Sequence, residues 1–158
     1  MSAQKRKRYF WTNIPFTLPE DKNIVLQSIL QKDVDAKYFS KKCIVTGEYK
    51  KDTFILMSSI GRRYDKDGKR CDNDKTVEYQ QRVAPKTDQT KCGTLTSVTK
   101  DNLIYINNRI RRLTPIECER LMGLADNYTN MIAETKRYKC CGNAFNCDVV
   151  AHIFSFVL

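Results

Sequence analysis

The sequence predicts an α+β fold, with strands in the first two thirds of the chain and helices in the last third. An uninterrupted apolar run over residues 53–60 is typical of a buried strand. A β-rich patch over residues 93–98 leads through a turn at Lys100-Asp101-Asn102 into the apolar residues 103–106, which predicts a hairpin. From Arg109 onward apolar residues recur at helical spacing, so we expect the chain to end in helices.

Three further segments complete this order of elements. A basic cluster near the start leads into an aromatic run, Tyr9-Phe10-Trp11, with the character of a short strand. Apolar residues between Ile24 and Leu30 share one helical face and predict a short helix. Residues 61–81 are polar and contain the turn signal Asp67-Gly68, so we expect a surface loop there.

The start of the helical third is marked by Thr114-Pro115-Ile116-Glu117. The Thr side chain can accept from the amide of Glu117, whose carboxylate can reach back to the Thr amide, and proline suits the first helical position. Gly123 can end this helix. A loop over residues 126–130 and a second helical region follow, and the apolar residues between Val149 and Val157 predict one face of a terminal helix.

Charge is the strongest feature of the composition. The 158 residues carry 28 Lys plus Arg against 18 Asp plus Glu, a formal net charge of +10. Such an excess favours a polyanionic partner, because each neutralised phosphate releases counterions. A solvated basic surface without such a partner is the alternative interpretation.

The cysteines argue against a metal site and against a disulfide framework. The seven cysteines are odd in number and scattered, and they form no C-x-x-C pair, so we expect reduced thiols and no metal. His152 has no second ligand near it, and we interpret it as a hydrogen-bonded histidine within the fold. No apolar run reaches the roughly 18 residues that a membrane helix needs. These observations predict a cytoplasmic protein without membrane contact.

Three motifs, in the same order, resemble those of cytosine-5 DNA methyltransferases. Gln4-x-Arg6-x-Arg8 resembles the arginine motif of that family. Residues 112–123, Arg-Leu-Thr-Pro-x-Glu-x-x-Arg-Leu-Met-Gly, extended by Asp126-Asn127-Tyr128, resemble the motif after its target-recognition region. Residues 137–144, leading into Asp148-Val149-Val150, resemble its final motif. The order of these three motifs makes the resemblance more specific than any one of them.

The resemblance implies three divisions of the chain. Residues 1–13 would be the end of a catalytic domain, residues 14–108 a small β-rich target-recognition domain, and residues 109–158 a helical closing segment. The flanking strand and helices would complete a doubly wound methyltransferase α/β domain. Sequence specificity would then reside in residues 14–108.

The resemblance also implies a cytosine pocket and a cofactor contact. The family adds a thiolate to C6 of a cytosine swung out of the duplex, and C5 then takes a methyl group from S-adenosylmethionine. Arg6 and Arg8 match the arginine pair that holds the flipped base, and residues i and i+2 of an extended segment share one side. Gly142, Asn143 and Ala144 match the residues that close over the cofactor. Cys140 and Cys141 are interpreted as packing residues.

Double-stranded DNA is the implied substrate. We expect Thr94 and Thr96, in a Thr-Leu-Thr element that resembles the family's target-contacting element, to lie near the target, and loop-borne cations to contact phosphates. We expect Arg112, Glu117 and Arg120 to brace the fold through ion pairs instead of touching DNA. The predicted DNA-binding residues are Arg62, Arg63, Lys69, Thr94, Thr96 and Lys100.

Two family motifs and one family loop are missing from the sequence. No cysteine follows a proline, so the Pro-Cys nucleophile is absent, and so are the Glu-Asn-Val motif and the glycine-rich cofactor loop. Methyl transfer would therefore need a second chain, or an N-terminal half, that carries the catalytic Cys and Glu. This chain alone would be inactive. A non-catalytic DNA-binding remnant or regulator is the alternative. The compact, basic chain favours a phage or mobile element, acting in restriction-modification within a bacterial or phage-infected cell.

Overall fold

The computed structural model describes residues 2–40, 44–45, 48–50, 54–77, 79–96 and 102–157. Short 3-10 helices span Leu26–Ile29 and Ala36–Tyr38. Five strands and three α-helices follow in chain order: β1 Ile44–Val45, β2 Ile55–Arg63, β3 Tyr79–Pro85, β4 Leu103–Ile106, β5 Arg109–Arg112, α1 Pro115–Leu121, α2 Glu134–Asn143 and α3 Cys147–Phe154. The predicted mixture of a β-rich first part and a helical last part is confirmed.

One sheet joins the five strands in the order β1-β3-β2-β4-β5. The pairs β3–β2, β2–β4 and β4–β5 are antiparallel, and β1 pairs with β3 in parallel. β2 pairs with β4 only over Ile55–Met57, but it pairs with β3 as far as Arg63. The outer part of β2 and β3 is therefore a two-stranded ribbon that extends beyond the body of the sheet.

The prediction of a surface loop over residues 61–81 is confirmed for the connection between the strands and is wrong at its two ends. β2 continues to Arg63 and β3 begins at Tyr79, and the described residues 64–77 between them form turns and a bridge between Tyr64 and Arg70. A two-stranded ribbon has no core packed on its faces. Its strands therefore do not need the alternating apolar pattern that marks a strand with one buried face. The turn signal itself is confirmed, since Gly68 adopts φ +76° and its amide donates to the carbonyl of Asp65 at 3.0 Å.

The predicted hairpin has a different partner from the one expected. Residues 93–96 form no strand, and residues 97–101 lie outside the described part of the chain. Instead β4 pairs with β5, which occupies the place where helical structure was expected to begin. The connecting residues Asn107 and Asn108 have φ values of 51° and 59°. Two successive left-handed residues match the twist of a two-residue hairpin, and asparagine tolerates that conformation well.

Helix α1 begins as predicted. Thr114 accepts a hydrogen bond from the amide of Glu117 at 3.2 Å, and the Glu117 carboxylate accepts from the amide of Thr114 at 2.8 Å. This capping box satisfies two helix-end donors, and Pro115 occupies the first helical position. Gly123 follows the helix with φ +74°, a left-handed conformation that glycine adopts without steric cost.

Apolar side chains pack on both faces of the sheet. Leu56 and Ile104 point to the face covered by α1 and α2, where they join Leu121 and Tyr138. The residues on either side of them in β2 and β4 point to the opposite face and form a second cluster with Val83. This alternation is the period of two that a strand imposes on its side chains. The helices are thereby fixed on one face of the sheet.

The N-terminal residues enter the core, but the aromatic run after them is not a strand. Ala3 is buried, and Gln4 forms an isolated parallel bridge with Cys92. Tyr9 and Trp11 have no strand partner in the described part of the chain, and they are 90% and 95% exposed. A strand forms only where a neighbour supplies backbone groups, and no described segment does so here.

The terminal helix is present, and its apolar face is divided. Ile153 is buried, whereas Phe154 and Val157 remain 57% and 59% exposed. The ring of His152 lies 2.8 Å from the carbonyl of Thr17, which agrees with a hydrogen-bonded histidine. Across the described residues, every helix is too short or too polar to cross a membrane.

Candidate functional site

Arg6 connects three segments that are far apart in the sequence. One terminal nitrogen, Nη2, donates to the carbonyl of Gly142 at 2.9 Å and to that of Ala144 at 2.7 Å. The other, Nη1, donates to the carbonyl of Leu95 at 3.4 Å. The arginine motif, the Thr-Leu-Thr element and the closing motif therefore meet at one side chain.

Gln4 reinforces the same junction from a buried position. Its side-chain nitrogen donates to the carbonyl of Leu121 at 3.2 Å and lies 3.1 Å from the sulfur of Met122. Its side-chain oxygen accepts from the amide of Leu95 at 3.4 Å. A buried amide with both ends paired fixes the positions of its neighbours, because losing a partner would leave a desolvated polar group. The end of α1 is thus joined to the arginine motif.

The two arginines of the motif differ in environment. Burial lowers the pKa of the Arg6 guanidinium, and the positive charge of Arg8 lowers it further. Arg8 is exposed, and the hydrogen bond of its guanidinium, to the carbonyl of Lys7, is long at 3.4 Å. Both side chains line one cavity, as the i and i+2 spacing predicts. Arg6 therefore supports the wall of the cavity, whereas Arg8 retains donors for a ligand.

The cavity has a volume of about 810 Å³. Phe10 and Phe145 meet in its wall with ring centroids 5.6 Å apart. Asn146, also in the wall, donates to the carbonyl of Leu121 at 3.0 Å and caps α3 by accepting from the amide of Val149. Aromatic walls with a few oriented polar groups are typical of sites that take planar, polar ligands.

Ion pairs lie along another part of the cavity. Lys5 pairs with Asp88 at 2.6 Å, and Lys91 pairs with Asp21. Hydrogen bonds from Lys5 and Thr90 hold the pKa of Asp88 well below its ordinary value. These carboxylates therefore stay ionised and neutralise nearby lysines, so the positive charge is less concentrated than the sequence suggests.

The closing-motif residues lie at the end of α2. Gly142 is buried, and both it and Ala144 use their carbonyls to accept from Arg6. Asn143 is exposed, and within the described ranges its side-chain amide has no hydrogen-bond partner. Cys141 is buried, and burial raises its pKa to about 11, which agrees with its interpretation as a packing residue. Asn143 is therefore the member of this trio whose side chain can bind a ligand.

The threonine element is held by a residue that the sequence did not single out. Asn102 is buried, and its side-chain oxygen accepts from the amide of Gly93 at 2.9 Å and from Lys86 at 2.6 Å. Its nitrogen donates to the carbonyls of Gly93 and Thr94. The hydroxyl of Thr94 donates to the carbonyl of Lys5 at 3.0 Å, while Thr96 is exposed. A polar residue between turn and strand looks like part of the turn, so no sequence signal distinguished Asn102.

The ion pairs expected of Arg112, Glu117 and Arg120 are present. Arg112 pairs with Glu134 at 2.8 Å, and Arg120 pairs with Asp126 at 2.6 Å. Glu117 pairs with the preceding arginine, Arg111, through two hydrogen bonds of 2.8 Å, and both side chains are almost fully buried. Strand β5 places Arg111 in the interior, while the next residue, Arg112, is half-buried.

Glu119 is a second buried carboxylate, and no pattern in the sequence indicated it. It accepts from the amides of Asn127 at 2.7 Å and Thr129 at 2.9 Å, and it pairs with Arg137 at 2.8 Å. Burial raises the pKa of Glu119, but hydrogen bonds from Thr129 and Arg137 outweigh that effect, and the pKa lies below its ordinary value. The loop after α1 is thereby tied to α2.

The predicted phosphate contacts lie on the ribbon of β2 and β3. Arg62 lies 3.7 Å from the carboxylate of Asp72. Arg63 donates to the carbonyl of Val77 at 3.0 Å, so part of its guanidinium holds the returning chain. Lys69 is exposed in the turn. Lys100 lies outside the described residues.

Comparison with known proteins identifies a family that agrees with this arrangement. Residues 2–157 match the family of C-5 cytosine-specific DNA methylases. Over 70 residues the chain is 36% identical to the DNA (cytosine-5)-methyltransferase DRM2 of Oryza sativa subsp. japonica. That match covers 44% of this chain and 12% of the relative, so the chain corresponds to a small part of the longer protein. The chain belongs to the C-5 cytosine-specific DNA methylase family.

Proposed function

We propose that this chain supplies target recognition, part of the cytosine pocket and the closing cofactor contacts of a DNA (cytosine-5) methyltransferase. The observation that carries the proposal is the position of Arg6, whose hydrogen bonds join the arginine motif, the threonine element and the closing motif. A flipped base needs a snug pocket, and we propose that these three segments form part of its wall. Duplex DNA is the proposed substrate.

Arg8 is the proposed contact to the flipped cytosine. The reaction adds a thiolate to C6 of the base, and the charge that develops on the ring is stabilised by donors near O2. Arg8 is exposed at the cavity and Arg6 is occupied by carbonyls, so Arg8 is free to donate to O2 or to a neighbouring phosphate. Arg6 acts as a positioning residue that holds the pocket wall.

S-adenosylmethionine is the proposed methyl donor, and it would supply an electrophilic methyl group for C5. The residues proposed to hold it are Gly142, Asn143 and Ala144. The exposed amide of Asn143 offers an NH2 group with two donors and an acceptor oxygen to the polar end of the cofactor. The fit of the cofactor is supported by Gly142, the buried glycine beside Asn143, since a residue without Cβ permits a close backbone approach. Arg6 holds this turn in place through its two carbonyls.

The proposed divisions assign specificity to residues 14–108 and attachment to the segments on either side. Exposed apolar groups support the attachment surface, because Trp11 is 95% exposed and Phe154 is 57% exposed. Where exposed apolar groups form a contiguous patch, that patch commonly marks an interface. We propose that this surface completes a doubly wound catalytic domain carrying the Pro-Cys and Glu-Asn-Val motifs. Whether that domain is a second subunit or part of a longer chain, it supplies the nucleophile. A phage or mobile-element source rests on composition alone.

The test measures tritium transfer from labelled S-adenosylmethionine to duplex DNA. The purified chain is assayed alone and then with a candidate polypeptide that carries the two missing motifs. We expect transfer only when both are present, because the thiolate comes from the second polypeptide. Duplex binding with no transfer in either assay would favour a non-catalytic DNA-binding regulator. Transfer by this chain alone would contradict the proposal.

A further inference from the structure

Residues 64–72, which directly follow β2 and form what we call the tip of the ribbon, are held by hydrogen bonds among their own polar groups. The carboxylate of Asp65 accepts from the amides of Asp67 at 3.0 Å and Lys69 at 2.8 Å, and the Asp65 amide donates to the Lys69 carbonyl at 2.9 Å. Tyr64 and Arg70 form an antiparallel bridge below the turn. The tip therefore projects from the sheet in a defined conformation.

Asp72 organises the arginines at the base of this tip. One of its oxygens, Oδ1, accepts from the amide of Arg63 at 3.1 Å, which fixes the carboxylate against the ribbon. The other, Oδ2, accepts from the Nε of Arg70 and lies 3.7 Å from the Nε of Arg62. A carboxylate fixed by the backbone thus sets the direction in which Arg70 extends.

The guanidinium of Arg70 keeps its outer donors available. Only its Nε is used by Asp72, and among the described residues its two terminal nitrogens have no hydrogen-bond partner. The side chain of Arg70 is 61% exposed although its orientation is fixed. An arginine held through Nε presents two parallel N–H donors, which match the N7 and O6 acceptors of guanine in the major groove.

We infer that Arg70, oriented by Asp72, reads a guanine in the major groove of the target DNA. This inference rests on the proposed function, since it takes residues 14–108 as the target-recognition part. A two-stranded ribbon fits the major groove. A fixed carboxylate beside the guanidinium repels phosphate, so this arrangement favours a neutral base edge over the DNA backbone. Lys66 and Lys69, exposed in the turn, are the phosphate contacts of the same tip.

The test separates base reading from phosphate binding. The full chain, with its candidate catalytic partner, selects duplexes from a pool with a randomised core, and the selected site is resynthesised with 7-deazaguanine at each guanine in turn. We expect one such substitution to weaken binding about 5- to 100-fold, because N7 is lost while every phosphate remains. No loss at any guanine would overturn the inference.

Matched variants identify the residue responsible. Arg70→Met removes the guanidinium donors but keeps an unbranched side chain, and Asp72→Asn keeps an acceptor for the Arg63 amide but loses the charge that orients Arg70. Both variants should lose the 7-deazaguanine effect and bind guanine and 7-deazaguanine sites alike. Lys66→Ala should weaken all duplexes equally and keep the effect. An unchanged 7-deazaguanine effect in Arg70→Met would overturn the inference.

Failure of the inference about Arg70 can be distinguished from failure of the proposed function. Tritium transfer by the complex measures the function, and the 7-deazaguanine effect measures only this contact. Transfer without any guanine dependence at Arg70 would overturn the inference and leave the proposed function standing. Absence of both duplex selection and transfer would overturn both.

Discussion

The junction around Arg6 and the tip of the β2–β3 ribbon use arginine in opposite ways. Arg6 donates to a carbonyl 136 residues away and is partly buried. At the tip, Arg70 pairs with a carboxylate two residues away and is mostly exposed. A buried cation that joins distant segments contributes to the fold itself, whereas an exposed local pair contributes little to stability. The junction therefore acts as a framework, and the tip can vary without unfolding the chain.

Breaking the buried pair of Arg111 and Glu117 should have the largest effect. Arg111→Ala leaves a fully buried carboxylate without its cation, and a loss of about 3–5 kcal/mol in the free energy of unfolding is expected. Denaturant unfolding of the full chain measures it. The matched control is Arg70→Ala, which should change stability by no more than about 0.5 kcal/mol. Equal losses in the two variants would contradict the contrast between framework and tip.

Removing the guanidinium of Arg6 should have an intermediate effect. Arg6→Met leaves the carbonyls of Gly142 and Ala144 without their donor, so a loss of about 1–3 kcal/mol in unfolding free energy is expected. Arg8→Met is the control, because its exposed guanidinium makes only a long hydrogen bond, and its stability should stay within about 0.5 kcal/mol of wild type. Destabilisation by Arg8→Met equal to that of Arg6→Met would show that the two arginines are equivalent.

Acid should weaken the framework through Glu119 by a smaller amount. Its pKa in the folded protein lies below the ordinary value of 4.5, so its contribution to stability is present above that value and is lost as pH falls through the folded pKa. Glu119→Gln should therefore lose less stability than wild type between neutral pH and the acid range below 4.5. Denaturant unfolding at a series of pH values checks this. Parallel curves for the two proteins would exclude Glu119 as a source of the acid sensitivity.

Local signals predicted local structure well. The cap of α1 could be inferred from Thr114, Pro115 and Glu117, because each of those groups acts within one helical turn. The turn at Gly68 was equally predictable, since glycine accepts a left-handed conformation. The resemblance singled out Arg6, Gly142 and Ala144, but their hydrogen bonds to one another were not predicted, because they join segments far apart in the sequence.

Non-local pairings could not be predicted in the same way. The partner of β4 depends on which neighbouring strand offers matching backbone groups, although Asn107 and Asn108 were an available hairpin signal. Arg111, the buried partner of Glu117, was not singled out, because its burial depends on strand register, which a single sequence does not specify. Asn102 is identifiable only when the segments it joins are seen together.

If the cavity beside Arg6 and Arg8 is the cytosine pocket, Arg8 should matter for methyl transfer and little for duplex binding. Tritium transfer to duplex DNA is compared for the wild-type complex and a complex containing Arg8→Ala, with duplex binding measured in parallel. We expect transfer to be lost while duplex binding stays within a few fold, because Arg8 contacts the flipped base and not the bulk of the duplex. Wild-type transfer by the Arg8→Ala complex would contradict it.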